Sequence, residues 1–192
     1  MQPKRTAEQL IFEAAYELLC ERDLTDVSVR DIARTAGITT RAFYNHFPDK
    51  FAVVARFYTD HMAPYMVDTL ETWTERRSEF LEIERDFFRH TIFYSGQNSL
   101  AETIVQTEYD KFALHIDPAV KEDPILAMEV HQGIVYTVNG QLGLYKATLL
   151  GDYPITKEEF MRNYTNTWDL MARWIPAVVL EHISQKPNER AD

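Results

Sequence analysis

The sequence predicts an all-α protein: an N-terminal three-helix helix-turn-helix domain over residues 1–50, and a larger helical domain over residues 51–192. Three observations carry this prediction. Apolar residues recur at three- and four-residue spacing along most of the chain. Glycine and proline number 6 and 8 in 192 residues, too few to separate the short strands of a sandwich or barrel. Hydrophobic residues make up 45% and charged residues 26% of the chain, enough to bury a sizeable core and unlike a disordered composition.

Composition also excludes classes. The single cysteine, Cys20, cannot form an internal disulfide, which removes the small stapled secreted proteins and cysteine-built metal sites. No run of ~18 apolar residues is present to span a bilayer. The stretch Met1 to Thr6 leads directly into an amphipathic segment rather than an apolar leader. A soluble, cytoplasmic protein with no membrane partner is expected.

The first helix starts after Thr6, a residue suited to N-capping, with Glu8 in the first turn. Its buried face is Leu10, Ile11, Ala14, Ala15, Leu18 and Leu19, and Glu13, Glu17 and Glu21 lie opposite. Asp23 to Asp26 form a turn. Ser28 caps a short second helix, with Asp31 three residues on as a variant capping box. Val29, Ile32 and Ala33 face inward there, and Arg30 and Arg34 outward. Gly37 supplies the positive φ of a tight exit. Thr39 caps a third short helix over residues 40–46, in which Phe43 and Phe47 point to the core and Thr40, Arg41, Tyr44 and Asn45 point away.

Two short helices joined by a tight glycine-containing turn form a helix-turn-helix, whose second helix can enter a DNA major groove N-terminus first. Small or hydrogen-bonding residues at its start (Thr39, Thr40, Ala42) allow close approach, and an arginine such as Arg41 can read guanine bidentately. Charge is consistent with a local site. The formal net charge is −10, yet residues 28–50 carry Arg30, Arg34, Arg41 and Lys50 against Asp31 and Asp49, with Lys4 and Arg5 as a second basic spot.

The run Ile11-x-x-Ala14-Ala15-x-x-Leu18, then Ser28-Val29-x-Asp31-Ile32-Ala33-x-x-Ala36-Gly37-Ile38-Thr39, then Phe43-Tyr44-x-His46-Phe47-x-x-Lys50, resembles the tetracycline-repressor (TetR) family. The resemblance covers about the first fifty residues. It implies an all-helical homodimer with two DNA-binding domains and a ligand-responsive domain behind them, bound to a double-stranded operator. It also implies that Tyr44, His46 and Lys50 contact phosphates, and that Thr39, Thr40 and Arg41 reach bases or adjoining phosphates. The candidate DNA-contacting set is Ser28, Arg30, Thr39, Thr40, Arg41, Tyr44, Asn45, His46 and Lys50. Phe51 departs from the pattern, which usually shows an acidic residue after the lysine.

Beyond Lys50 no flexible linker intervenes, so a fourth helix over residues 51–62 should couple the domains until Pro64 ends it. Ser78 is expected to cap a helix of ~78–94, closed by Ser95-Gly96. Asn98-Ser99 opens another to about His115, ended by Asp117-Pro118. Asp123-Pro124 starts a long helix that Gly151 closes. Thr156 with Glu159 makes a capping box for a last long helix, which Pro176 should kink. Gly133, Thr137, Gly140, Leu144 and Ala147 share one stripe of the first of these two long helices, suited to close approach of another helix. Homodimerisation through the last two long helices is the reading, with packing inside one subunit as the alternative.

The second domain is rich in aromatic residues, among them Trp73, Trp168 and Trp174. Phe87, His90, Tyr94, Tyr109, Phe112, His131, Tyr136 and Asn139 are candidate ligand-lining residues for a partly apolar small-molecule effector, against the alternative that most of these rings are core. No metalloprotease, nucleophile-elbow, Walker or dinucleotide motif is present, and no Glu-x-x-His pair of a di-iron bundle. No cofactor, metal or catalytic residue is expected. The expected function is a ligand-responsive transcriptional regulator, foremost a repressor released from a palindromic operator. The alternatives are an all-helical enzyme and a ligand-independent architectural DNA-binding protein.

Overall fold

The computed structural model describes residues 5–151, Glu159, Ala177, residues 181–184 and residues 186–188. The expected Thr156 capping box, the last long helix with its Pro176 kink, and Lys4 lie outside the described residues, as do Trp168 and Trp174. Among the described residues the structure is helical, apart from 3₁₀ turns and one isolated antiparallel bridge between Ile116 and Ile183. None of these helices is long and apolar enough to cross a membrane.

The helices in chain order are α1 (Ala7–Leu19), α2 (Val29–Thr35), α3 (Thr40–Tyr44), α4 (Lys50–Met62), α5 (Leu70–Ile83), α6 (Arg85–Thr91), α7 (Leu100–Ala113) and α8 (Pro124–Leu150). Most boundaries follow local chemistry. Thr6 caps α1 in a reciprocal box with Gln9, and Ser28 caps α2 in one with Asp31. Thr39 accepts from the Ala42 amide at 3.1 Å. Ser99 and Glu102 form a box at the start of α7. Asp123 accepts from Ile125 and Leu126 ahead of Pro124, and Gly151 at φ 78° closes α8.

One boundary differs from expectation. Ser78 does not start a helix: it is buried inside α5, its hydroxyl donating to the Thr74 carbonyl at 2.7 Å. Thr69 caps α5 instead, accepting from the Thr72 amide at 3.1 Å. The helix expected over ~78–94 is therefore the end of α5 followed by α6. The break falls at Glu84, whose φ of −96° and ψ of 27° leave the helical region, and α6 stops at Thr91, short of Ser95-Gly96.

The chain packs as two compact units. The first combines Met1–His61 with Glu84–Thr103. Its core is Ile11, Ala15 and Leu19 of α1, Ile32 of α2, Phe43 of α3, Val53, Val54 and Tyr58 of α4, and Phe87 and Phe88 of α6. Ring contacts tie it together: Phe57 and Phe87 lie 4.5 Å apart, and Phe12 meets Phe47 edge-on at 5.3 Å.

The second unit combines Met62–Ile83 with Ile104–Asp192. Leu70, Phe112, Val120, Val130, Ile134 and Val138 form one apolar cluster. His115 is fully buried, its Nδ1 2.8 Å from the Ser184 carbonyl, and burial pushes its pKa down. His182, Ser184 and Asn188 bond to the backbone of residues 114–117, for example Ser184 N–H to the His115 carbonyl at 2.9 Å.

Candidate nucleic-acid interface

The surface of interest lies in the first unit and is built by α2, the turn after it and α3. Ile32 and Ala33 anchor α2, and Phe43, with no exposed surface, anchors α3. Gly37, at φ 67°, allows the sharp turn between them, and the Ile38 amide bonds back to the Ala33 carbonyl at 2.9 Å. Burying Phe43 fixes which residues of α3 face out. Thr39, Thr40, Arg41, Asn45 and His46 are exposed, and Tyr44 keeps 54% of its surface accessible. Six of the nine candidate residues thus lie exposed around one short helix.

Ser28 and Arg30, at the start of α2, are both exposed. The Ser28 hydroxyl is engaged in its cap, donating to Asp31 Oδ2 at 2.6 Å. Hydrogen bonds from Ser28, with Arg34 adding a smaller effect, hold the Asp31 carboxyl below the usual range. Arg34 pairs with Asp31 at 2.7 Å, so Arg30 and Arg41 are the arginines of this segment that the cap leaves to solvent.

Lys50 behaves differently from the other candidates. It is half-buried, and its ammonium donates to the carbonyls of Leu24 and, at 2.7 Å, Val27. Burial pushes its pKa down. It clips α4 to the α1–α2 loop. His90 of α6 holds the same loop from another side: its carbonyl accepts from the Leu24 amide at 2.9 Å, and its Nδ1 lies 2.7 Å from Asp23 Oδ1. Phe51 stacks on Tyr94 with centroids 4.5 Å apart.

The candidate effector residues fall into both units. Phe87, buried in the first unit, belongs to its aromatic core, and His90 and Tyr94 make the contacts just given. In the second unit Tyr109 stacks on His131 at 5.5 Å, and Phe112 is core. Tyr136 is 79% exposed, and Asn139, also exposed, donates to the Val135 carbonyl. Sequence reasoning missed a buried polar cluster in that unit, where Arg77 pairs with Glu108 at 2.6 Å. Its signal was available: Trp73-x-x-x-Arg77-x-x-x-Leu81 and Ile104-x-x-x-Glu108-x-x-x-Phe112 each set a charge on an apolar stripe.

Residues 11–57 match the model of the bacterial regulatory proteins, tetR family. The chain is 47% identical over 47 residues to the HTH-type transcriptional regulator EthR of Mycobacterium tuberculosis, covering 24% of this chain and 22% of that one. It is 37% identical over 60 residues to the putative mycofactocin biosynthesis transcriptional regulator MftR of the same species, covering 31% and 30%. The matches thus span less than a third of these curated relatives. A tetR-family transcriptional regulator from Streptomyces coelicolor shares the fold with a TM-score of 0.58 at 18% identity, over 91% of this chain and 87% of that one.

Proposed function

We propose that this chain, whose residues 11–57 match the tetR family model, is a cytoplasmic, non-enzymatic, ligand-responsive regulator that represses from a palindromic operator as a homodimer. The observation that carries this reading is the exposure of Thr39, Thr40, Arg41, Tyr44, Asn45 and His46 around a buried Phe43. An arginine and hydroxyls at the start of a short helix suit base edges, and Tyr44 and His46 at its far end suit phosphates. Ser28 and Arg30 add backbone contacts at the flank. Lys50 acts first through the loop it clips.

Two-fold pairing doubles the phosphate contacts and matches a palindrome. The surface of α8 supports it. Ile125, Met128, Tyr136, Leu144 and Leu150 are all more than half exposed. Gly140 and Gly143 on the same side have open space where a Cβ would stand. Of the stripe predicted for this helix, Gly133 turns inward, while Gly140 and Leu144 face out. This apolar face suits a partner's helices, with the last long helix as its companion.

An effector binding the second unit would shift the spacing of the two recognition helices away from successive major grooves ~34 Å apart. A gel-shift assay with DNA from upstream of the gene tests the reading. A folded protein that binds no palindrome there at low salt overturns it.

A further inference from the structure

The turn after α7 is held by residues from much later in the chain. The Asp117 amide donates to the His182 carbonyl and the Ser184 amide to the His115 carbonyl, both at 2.9 Å. The Asn188 amide donates to the Leu114 carbonyl at 2.7 Å, and its side-chain amide to the Ile116 carbonyl. Ile183 forms an antiparallel bridge with Ile116, and both pack against the apolar cluster of the second unit. His182, Ile183, Ser184 and Asn188 thus act as a strap across residues 114–117.

His115 sits under this strap with none of its surface exposed. A carbonyl can only accept, so the ring nitrogen 2.8 Å from the Ser184 carbonyl, Nδ1, carries the proton. In the neutral ring Nε2 is then a bare acceptor, and among the described residues it has no hydrogen-bond partner. A second proton would place a buried N–H there with nothing to accept it, and a charge with no water around it.

The surroundings offer that charge little relief. Burial is the largest effect and pushes the His115 pKa below its ordinary 6.5; the Ser184 carbonyl opposes it, and Lys111, one turn earlier on α7, adds to it. Lys111 itself titrates at about 8, so it is charged throughout the range in which His115 would gain a proton. Asp68 and Glu108 face Lys111 and hold that charge. Asp117, Glu181 and Lys186, and Glu129 and His131 of α8, are all exposed. His182, half-buried, is the other titratable ring of the strap. The sign follows. Below 6.5 an uncovered His115 takes up a proton that the covered ring refuses, so acid favours the uncovered form, by up to tenfold per pH unit for one proton.

We propose that His115 is a proton-sensitive latch: neutral, it holds the strap across residues 114–117, and in mildly acid solution uptake of a solvent proton on Nε2 releases the strap and uncovers Ile116 and Ile183. The latch belongs to the second unit and stands whatever the first unit binds.

Amide hydrogen exchange of the full-length protein, followed by NMR between pH 7.5 and 5.5 with the intrinsic chemical rate divided out, tests it. Protection of the Ser184 and Asn188 amides should fall at least threefold across that range. His115→Gln keeps a side-chain N–H for the Ser184 carbonyl and has no proton to gain, so the fall should vanish. In His182→Gln it should persist. The His115 ring carbons, read in the same samples, should still report the neutral Nδ1–H form at pH 6.5, where an unperturbed histidine is half charged. If His115→Gln fails to fold, the ring titration and His182→Gln decide the matter. Protection that does not change with pH, an equal fall in His115→Gln, loss of the fall in His182→Gln, or a ring half charged at pH 6.5 overturns the proposal.

Discussion

Lys50 donates its ammonium to the Val27 carbonyl at 2.7 Å, across 23 residues of sequence. With its second bond to the Leu24 carbonyl, it holds the loop that sets where α2 begins. Lys50→Met should therefore lower the stability of the first unit by about 1–3 kcal/mol, the cost of leaving buried carbonyls without partners. Operator affinity should fall with it while the slope of log K against log salt stays the same, because no phosphate contact is lost. A slope reduced by about one would instead place Lys50 on a phosphate.

Arg41 and Tyr44 separate by the same logic. Arg41→Ala should relax preference at one base position by ~1–3 kcal/mol. Tyr44→Phe should weaken binding alike on every sequence. Affinities for a panel of single-base operator variants check both. A uniform loss from Arg41→Ala would make it a backbone contact.

The stack of Phe51 on Tyr94 depends on a missing side chain. A Cβ on Gly96 would overlap the Tyr94 phenol, so Gly96→Ala must swing the ring off Phe51. The loss should be about 0.5–1.5 kcal/mol, as for other aromatic pairs, and Phe51→Ala should cost at least as much in thermal unfolding. Added to Phe51→Ala, Gly96→Ala should cost little more, because the stack is already gone.

Burial pushes the Lys111 ammonium down to about 8 from an ordinary 10.5. Between those values the unfolded chain keeps a proton that the folded protein has released, so stability rises with pH there, and the full cost of the buried charge is felt below pH 8. Lys50 and Lys146 are shifted in the same direction by burial, so the decisive quantity is a difference. Over pH 8 to 9.5, Lys111→Met should show a shallower rise in melting temperature than the native protein. An unchanged slope would refute the assignment.

The exposed face of α8 makes its own prediction. Gly140→Arg sets a charge where the proposed partner helix would sit, and sedimentation should show a dimer become a monomer that remains folded. A monomeric native protein would remove the two-fold model.

What could be read ahead of the structure was what the backbone decides locally. Thr6, Ser28, Thr39, Asp123 and Gly151 end helices through bonds spanning two to four residues, and the apolar stripes identify the buried faces. Ser78 was misread because a serine ahead of an apolar run looks the same whether it caps a helix or bonds back to the carbonyl four residues before it. Thr69 upstream is what decides. The break at Glu84 has no glycine or proline to mark it. On α3, burial of Phe43 was legible and with it the exposure of Tyr44 and Arg41. The aim of Lys50 and the pairing of Arg77 with Glu108 join residues more than twenty apart, which no local pattern specifies.

Guanine methylation protection on the operator, read base by base, tests whether α3 enters the major groove. The account predicts two protected patches on one face of the duplex, one helical turn (~34 Å) apart, with the protection in each patch lost in Arg41→Ala. Tight binding without major-groove protection, or protection indifferent to Arg41, would contradict it.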